Sequence, residues 1–163
     1  MTTSTFAQRT YTRSKGLQDT FGDFTCLHCR RLVQAHELFS GVRNRNHCPH
    51  CLSSRHLDLY EAGDRLAACK GRMRAVALTL KHNGNKYAAD SGELMLVHVC
   101  TECGKVSINR IAADDDNDLI LQIFHESQNL DRSMRDTLAQ NGILALNSGH
   151  EELVVRRLWG RES

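Results

Sequence analysis

The chain of 163 residues is poor in aromatic side chains, 6% of the total, and it holds a single proline and a single tryptophan. A core with so few large rings must lean on something besides packing. No apolar run approaches the roughly 18 residues that a membrane-spanning helix needs, so no membrane partner is expected. The opening MTTSTFAQRTYTRSKG has no apolar central stretch, and no secretory leader is expected there. A cytoplasmic location is the resulting expectation. Familiar catalytic signatures are missing as well: no G-x-S-x-G, P-loop, G-x-G-x-x-G or H-E-x-x-H occurs. The zinc-deaminase pattern fails because Pro49 precedes His50 rather than a cysteine. No small-molecule substrate is suggested. What remains is globular composition, 40% apolar and 25% charged, at a length suited to one domain or a compact module with an appendage.

Seven cysteines stand out against this background. An odd number leaves one thiol over from any closed disulfide framework, and in a reducing compartment clustered thiols read as metal ligands. Three C-x-x-C pairs occur: Cys26/Cys29, Cys48/Cys51 and Cys100/Cys103. Two intervening residues let the chain turn so that both sulfurs face one point, and amides in such a turn can donate to thiolates. No βαβ pattern surrounds any pair, which argues against thioredoxin-like redox chemistry. The first two pairs lie 18 residues apart, within the spacing of paired zinc knuckles. Cys26, Cys29, Cys48 and Cys51 are therefore expected to hold one Zn2+ in a closed, structural four-sulfur site. Cys69 is the one cysteine outside the pairs. With Cys100 and Cys103 it supplies three sulfurs, and His98 is the expected fourth ligand because positions 98 and 100 of a strand point to the same side. His82 and His125 compete for that place, and a three-sulfur site with an open water position is the alternative.

Net charge is uneven. Residues 1–113 carry 16 Lys+Arg and 9 Asp+Glu, or +7, whereas residues 114–163 carry 5 and 10, or −5. The pattern suggests three parts: a basic tail over 1–20 with Arg9, Arg13 and Lys15, a cysteine-rich module over 21–115, and an acidic helical segment over 116–163. Within the module, Ala75–Leu80 and Leu94–Val99 read as strands, joined through a loop with Asn83-Gly84 and Ser91-Gly92. Three helices are expected afterwards. One is capped near Asn117 or Asp118 and runs through Leu119, Ile120, Ile123 and Phe124. A second starts near Asp131 and ends by Gly142, and a third covers 150–159. The fold class that results is α+β: a small zinc-ribbon-like module with two knuckle sites and short antiparallel strands, plus a helical C-terminal segment. Structural zinc supplies on the order of 10 kcal/mol of folding free energy, which suits so small a core.

Residues 45–49 spell Arg-Asn-His-Cys-Pro. Together with Phe24-x-Cys26-x-x-Cys29, Ser54-x-His56-Leu57-Asp58, Gly63-Asp64-Arg65, Cys69-x-Gly71-x-Met73, His98-x-Cys100-x-x-Cys103-Gly104 and Asn109-Arg110-x-Ala112-x-Asp114-Asp115, this run resembles the bacterial RNHCP-domain family. The resemblance covers roughly residues 22–125. Arg74-Ala75 follows Met73 where the family usually has a proline. The likeness implies a zinc-binding bacterial domain and supports His98, Cys100 and Cys103 as one motif. It supplies no activity.

Function has to come from the residues. Between 26 and 74 the chain carries 9 Lys+Arg against 4 acids. On a zinc scaffold this suits phosphate, and the arginine fork suits it better than lysine does. Arg30, Arg31, Arg43, Arg45, Arg55, Arg72 and Arg74, with His47 and His56, are the expected nucleic-acid contacts, histidine rings being able to stack on unpaired RNA bases. Without a recognisable DNA-reading helix, RNA or the ribosome is preferred. A protein-binding, transcription-regulatory adaptor using the acidic helices is the alternative. A metal-dependent hydrolase comes third, since Asp114–Asp116 and Asp118 could hold Mg2+. Helix capping explains those carboxylates more simply, with Asn109 and Arg110 available to hold them in place.

Overall fold

A computed structural model describes residues 22–61, 63–81 and 92–160. The basic-tail expectation for 1–20, the loop turn at Asn83-Gly84 and the candidate ligand His82 lie outside these residues. The described chain is α+β. In order it forms β1 (Phe24–Thr25), β2 (Leu32–Val33), α1 (Glu37–Ser40), β3 (Ser54–Arg55), β4 (Arg72–Lys81), β5 (Glu93–Cys100), β6 (Val106–Arg110), α2 (Asn117–Ser127), α3 (Arg132–Gln140) and α4 (Glu151–Trp159). No helix among the described residues is long and apolar enough to cross a membrane.

The chain forms two compact units. Among the described residues, the first takes those up to Arg74 together with Val99–Lys105 and Ala112–Asp116. The second takes the described residues of 75–98, Val106–Ile111 and those from Asn117 to Gly160. In the first unit β1 and β2 make an antiparallel ribbon, with Phe24 opposite Val33 and Thr25 opposite Leu32. Alternation turns Phe24 and Val33 inward, where they pack with Cys26, Cys29, Cys48 and Cys51. Thr25 and Leu32 face solvent. β3 pairs antiparallel with the start of β4, Ser54 opposite Met73. The helix α1 is a single turn capped by His36, whose Nδ1 accepts from the Leu38 amide, and closed by Gly41 in the left-handed region at φ 70°.

A sheet of order β3-β4-β5-β6 is the main β element, and β4 and β5 contribute residues to both units. Both strands run longer than the apolar pattern alone suggested, because Arg72–Arg74 and Cys100 continue the ladder beyond the hydrophobic stretch. In the second unit Ala77, Leu78, Leu96 and Val97 are buried on β4 and β5. The helices bury Ile120, Ile123, Phe124, Leu138, Leu153 and Val154 at helical spacing. α2 packs on α4, and Asn117 Nδ2 donates to the Leu158 carbonyl at 2.9 Å. Asp131 caps α3 by accepting from the Met134 amide at 2.8 Å. The three helices fall close to the expected stretches; Asp131 caps α3 as expected, whereas Asn117 and Asp118 are the first residues of α2 rather than its cap.

Candidate metal centres

The three C-x-x-C turns share one hydrogen-bond pattern. The amide of each first cysteine donates to the carbonyl five residues on: Cys26 to Arg31 at 2.9 Å, Cys48 to Ser53 at 2.9 Å and Cys100 to Lys105 at 2.8 Å. The amide four residues on returns a bond: Arg30 to Cys26, Leu52 to Cys48 and Gly104 to Cys100. That fourth position must be left-handed. Arg30, Leu52 and Gly104 have φ of 65°, 61° and 77°. The turn also aims amides at sulfur, His28 N–H at Cys26 Sγ and His50 N–H at Cys48 Sγ, each at 3.4 Å.

These turns assemble two four-donor groups, the atoms of each within 4.8 Å of one another. The first joins Cys26, Cys29, Cys48 and Cys51. Cys26 and Cys51 sulfurs lie 3.5 Å apart, and Cys29 and Cys48 sulfurs 3.6 Å apart. Four sulfurs at about 2.3 Å from a tetrahedral ion would be separated by about 3.8 Å, so the group fits a metal ion with slight expansion. Burial pushes the Cys48 and Cys51 thiols up, against hydrogen bonds from the amides that follow them. Four sulfurs gathered this closely could ionise together only around a cation.

The second group consists of His56, Cys69, Cys100 and Cys103. His56 Nδ1 lies 3.3 Å from Cys103 Sγ, and Cys69 Sγ lies 3.6 Å from Cys100 Sγ. Burial pushes the Cys69 thiol up to about 12, with the sulfurs of Cys100 and Cys103 adding to it. Burial acts on Cys100 in the same direction. There the hydrogen bond to His56 and the amides of Cys103 and Glu102 prevail and hold it down at about 6. The segment is set by a short backbone pairing: the His56 amide donates to the Gly71 carbonyl at 2.9 Å, and the Lys70 amide donates to the His56 carbonyl at 3.1 Å. Gly71 is required by space. A Cβ there would sit 3.2 Å from Cys69 Sγ and 2.5 Å from Glu102 Cγ.

His98 is therefore corrected. It does lie on β5 with Cys100, but its buried ring faces β6, where Asn109 Nδ2 donates to His98 Nδ1 at 2.9 Å. Sharing a side of a strand did not bring it to the sulfurs. His125 is engaged elsewhere too, donating to Glu151 at 2.5 Å.

Around the first group the run 45–49 builds a buried polar lattice. Arg45 has a fully buried side chain. Its Nε donates to the His47 carbonyl at 3.0 Å. Its two Nη atoms grip Asp114 at 2.9 and 2.6 Å, and Nη2 also reaches Asp115 at 3.3 Å. His47 Nε2 donates to Asp115 Oδ2 at 2.7 Å, and the same oxygen takes the Ala112 amide at 2.7 Å. Asn46 Nδ2 donates to Asp58 at 3.0 Å, while its Oδ1 accepts from Arg65, which also pairs with Asp58 at 3.2 Å.

A profile of the RNHCP domain matches residues 21–121. The chain belongs to the RNHCP domain family. A search of curated proteins and a search of solved structures each gave no match. The RNHCP run turns out to be a brace: Cys48 faces the metal group, while Arg45, Asn46 and His47 hold the surrounding loops.

Three expected nucleic-acid contacts are corrected by this geometry. Arg45, His47 and His56 are buried and engaged inside the RNHCP domain, so no polyanion reaches them. Arg30, Arg31, Arg43 and Arg74 are exposed. Arg43 sits 3.5 Å from Glu37. Arg72 is half-buried and donates to Ser53 Oγ at 3.3 Å. Arg55, also half-buried, stacks 3.6 Å over the Phe24 ring, and burial beside Arg65 lowers its guanidinium to about 10. The acidic run is corrected as well. Asp114 and Asp115 hold Arg45 and His47, whereas Arg110 pairs with Glu93 at 2.7 Å and Asn109 with His98. Sequence reasoning missed His56 as a donor. It stands between two cysteine-bearing segments and outside any C-x-x-C echo, and its one sequence signal was a place in the family-like run Ser54-x-His56-Leu57-Asp58.

Proposed function

We propose that this RNHCP domain is a non-enzymatic module that holds two structural zinc ions and binds nucleic acid, with RNA or the ribosome preferred. The observation that carries the reading is the pair of closed four-donor groups. Thiolate and imidazole donors at this spacing suit zinc, and four protein donors complete its tetrahedron and leave no position for water or substrate. A cytoplasmic location goes with reduced thiols.

Support for RNA comes from Arg30, Arg31 and Arg74, which are exposed and form no ion pair with a carboxylate among the described residues. A second reading, a protein-binding adaptor, is favoured by one observation: Leu38 and Phe39 on α1 are 87% and 60% exposed. The acidic helices are less suited to that role, since their apolar faces are buried in their own unit.

Metal analysis of the purified protein should give two zinc ions per chain. RNA binding should weaken log-linearly with salt, as phosphate contacts demand. Binding that is absent at low salt, with a protein partner retained at high salt, would replace the RNA reading with the adaptor.

A further inference from the structure

We propose that the tip of the first knuckle, residues 27–32, is the reader of an unpaired RNA strand: Arg30 and Arg31 take the phosphates, and Leu27, His28 and Leu32 form the surface on which bases lie. This deepens the RNA reading and rests on it.

The three knuckles share one backbone, so differences in their side chains are informative. At the second, Pro49, Leu52 and Ser53 are buried and His50 is exposed. The third exposes Thr101, Glu102 and Gly104, a surface with a carboxylate and no exposed base. At the first, Leu27, His28, Arg30, Arg31 and Leu32 are all exposed, with Leu27 at 47% and Leu32 at 63%. One knuckle of three therefore presents cationic and apolar groups together, and a nucleotide strand needs both at close quarters.

Arg30 adds an independent argument. The fourth position of the turn is left-handed, a conformation that is costly for any residue with a Cβ. The third knuckle answers with Gly104. The second keeps Leu52 because that side chain is fully buried and packs. Arg30 is left-handed and exposed, so no packing accounts for its being there. Strain borne by an exposed cation points to a surface role. Exposed apolar groups beside the arginines suit unpaired bases, whose faces are open, better than a duplex, whose base faces are stacked on one another.

The test uses the full chain with zinc bound and a short fluorescein-labelled oligouridine, read by anisotropy. Arg30→Gly should leave the unfolding midpoint unchanged or raise it. It should weaken binding about tenfold and reduce the salt slope by about one. Arg31→Gln should do the same to binding without touching the backbone. If the native protein binds the oligonucleotide and both variants bind it equally well, the knuckle assignment is overturned while the RNA reading stands. If the native protein does not bind it at any salt, both fall. Tighter binding of duplex RNA or of the matching deoxy strand also overturns the assignment.

Discussion

Arg45 and Asp114 face each other in a two-pronged ion pair at 2.6 and 2.9 Å, although 69 residues separate them in the chain. The guanidinium is fully buried, while the Asp114 side chain is partly open to solvent. Asp115, fully buried, takes a third bond from the same guanidinium and a bond from His47. The loop before the second knuckle is thereby tied to the residues that follow β6, next to the first metal group. Such a clamp gives geometric specificity, because a planar fork meets a planar carboxylate in one orientation.

Replacing Arg45 by Ala should destabilise the zinc-loaded protein by about 3–5 kcal/mol, since it takes the guanidinium away from the buried Asp115 carboxylate and leaves only His47 and the Ala112 amide on it. Arg45→Lys should recover only part of this, because a single ammonium cannot span two carboxylates and a carbonyl at once. Denaturant unfolding of the three proteins checks the order. A loss below about 1 kcal/mol for the alanine variant would show the clamp to be dispensable.

His56 and His98 offer a direct contrast. His56→Ala should lower bound zinc from two ions to one, and His56→Cys should restore the second. His98→Ala should keep both ions and cost the usual penalty of about 1–3 kcal/mol for disturbing a buried polar pair. Metal content after dialysis against a weak chelator distinguishes them. Zinc lost from the His98 variant and kept by the His56 variant would return the fourth ligand to β5.

The contrast also marks what was legible. Local chemistry was: each C-x-x-C turn, the cap at Asp131 and the apolar run of β5 were all written in neighbouring residues. Long-range pairing was not. His56 meets Cys103 across 47 residues and Arg45 meets Asp114 across 69. No periodicity encodes either meeting. The acidic run read as a helix cap because its tie to Arg45 depends on tertiary folding, and Arg45 read as a surface cation for the same reason.

Chelation should unfold the first unit rather than merely loosen it. The apolar cluster at its first metal group is small, built around Cys26, Cys48 and Val33 with Phe24 alongside. Structural zinc accounts for on the order of 10 kcal/mol in such modules, more than that cluster provides. Excess chelator should collapse the amide dispersion of residues in this unit, and zinc should restore it. Retention of dispersed signals for Val33 and Cys48 in metal-free protein would contradict this.

Asp64 sets a pH window of its own. Its two oxygens accept four backbone amides: Leu59 at 2.9 Å and Leu66 at 3.1 Å on Oδ1, Tyr60 at 2.8 Å and Glu61 at 2.9 Å on Oδ2. Burial opposes ionisation, but these bonds prevail and hold the carboxyl at about 2. An unfolded aspartate titrates near 3.9, so the folded value is depressed. Stability from this group is therefore complete above about pH 4 and is lost as pH falls through about 2. Asp64→Asn places an amide group against N–H donors and should cost about 1–3 kcal/mol. That difference should stay constant from pH 8 to pH 5, where the carboxylate remains ionised in folded and unfolded chains alike. Denaturant unfolding of both proteins across this range measures it, and a gap that closes between pH 8 and pH 6 would place the titrating group elsewhere.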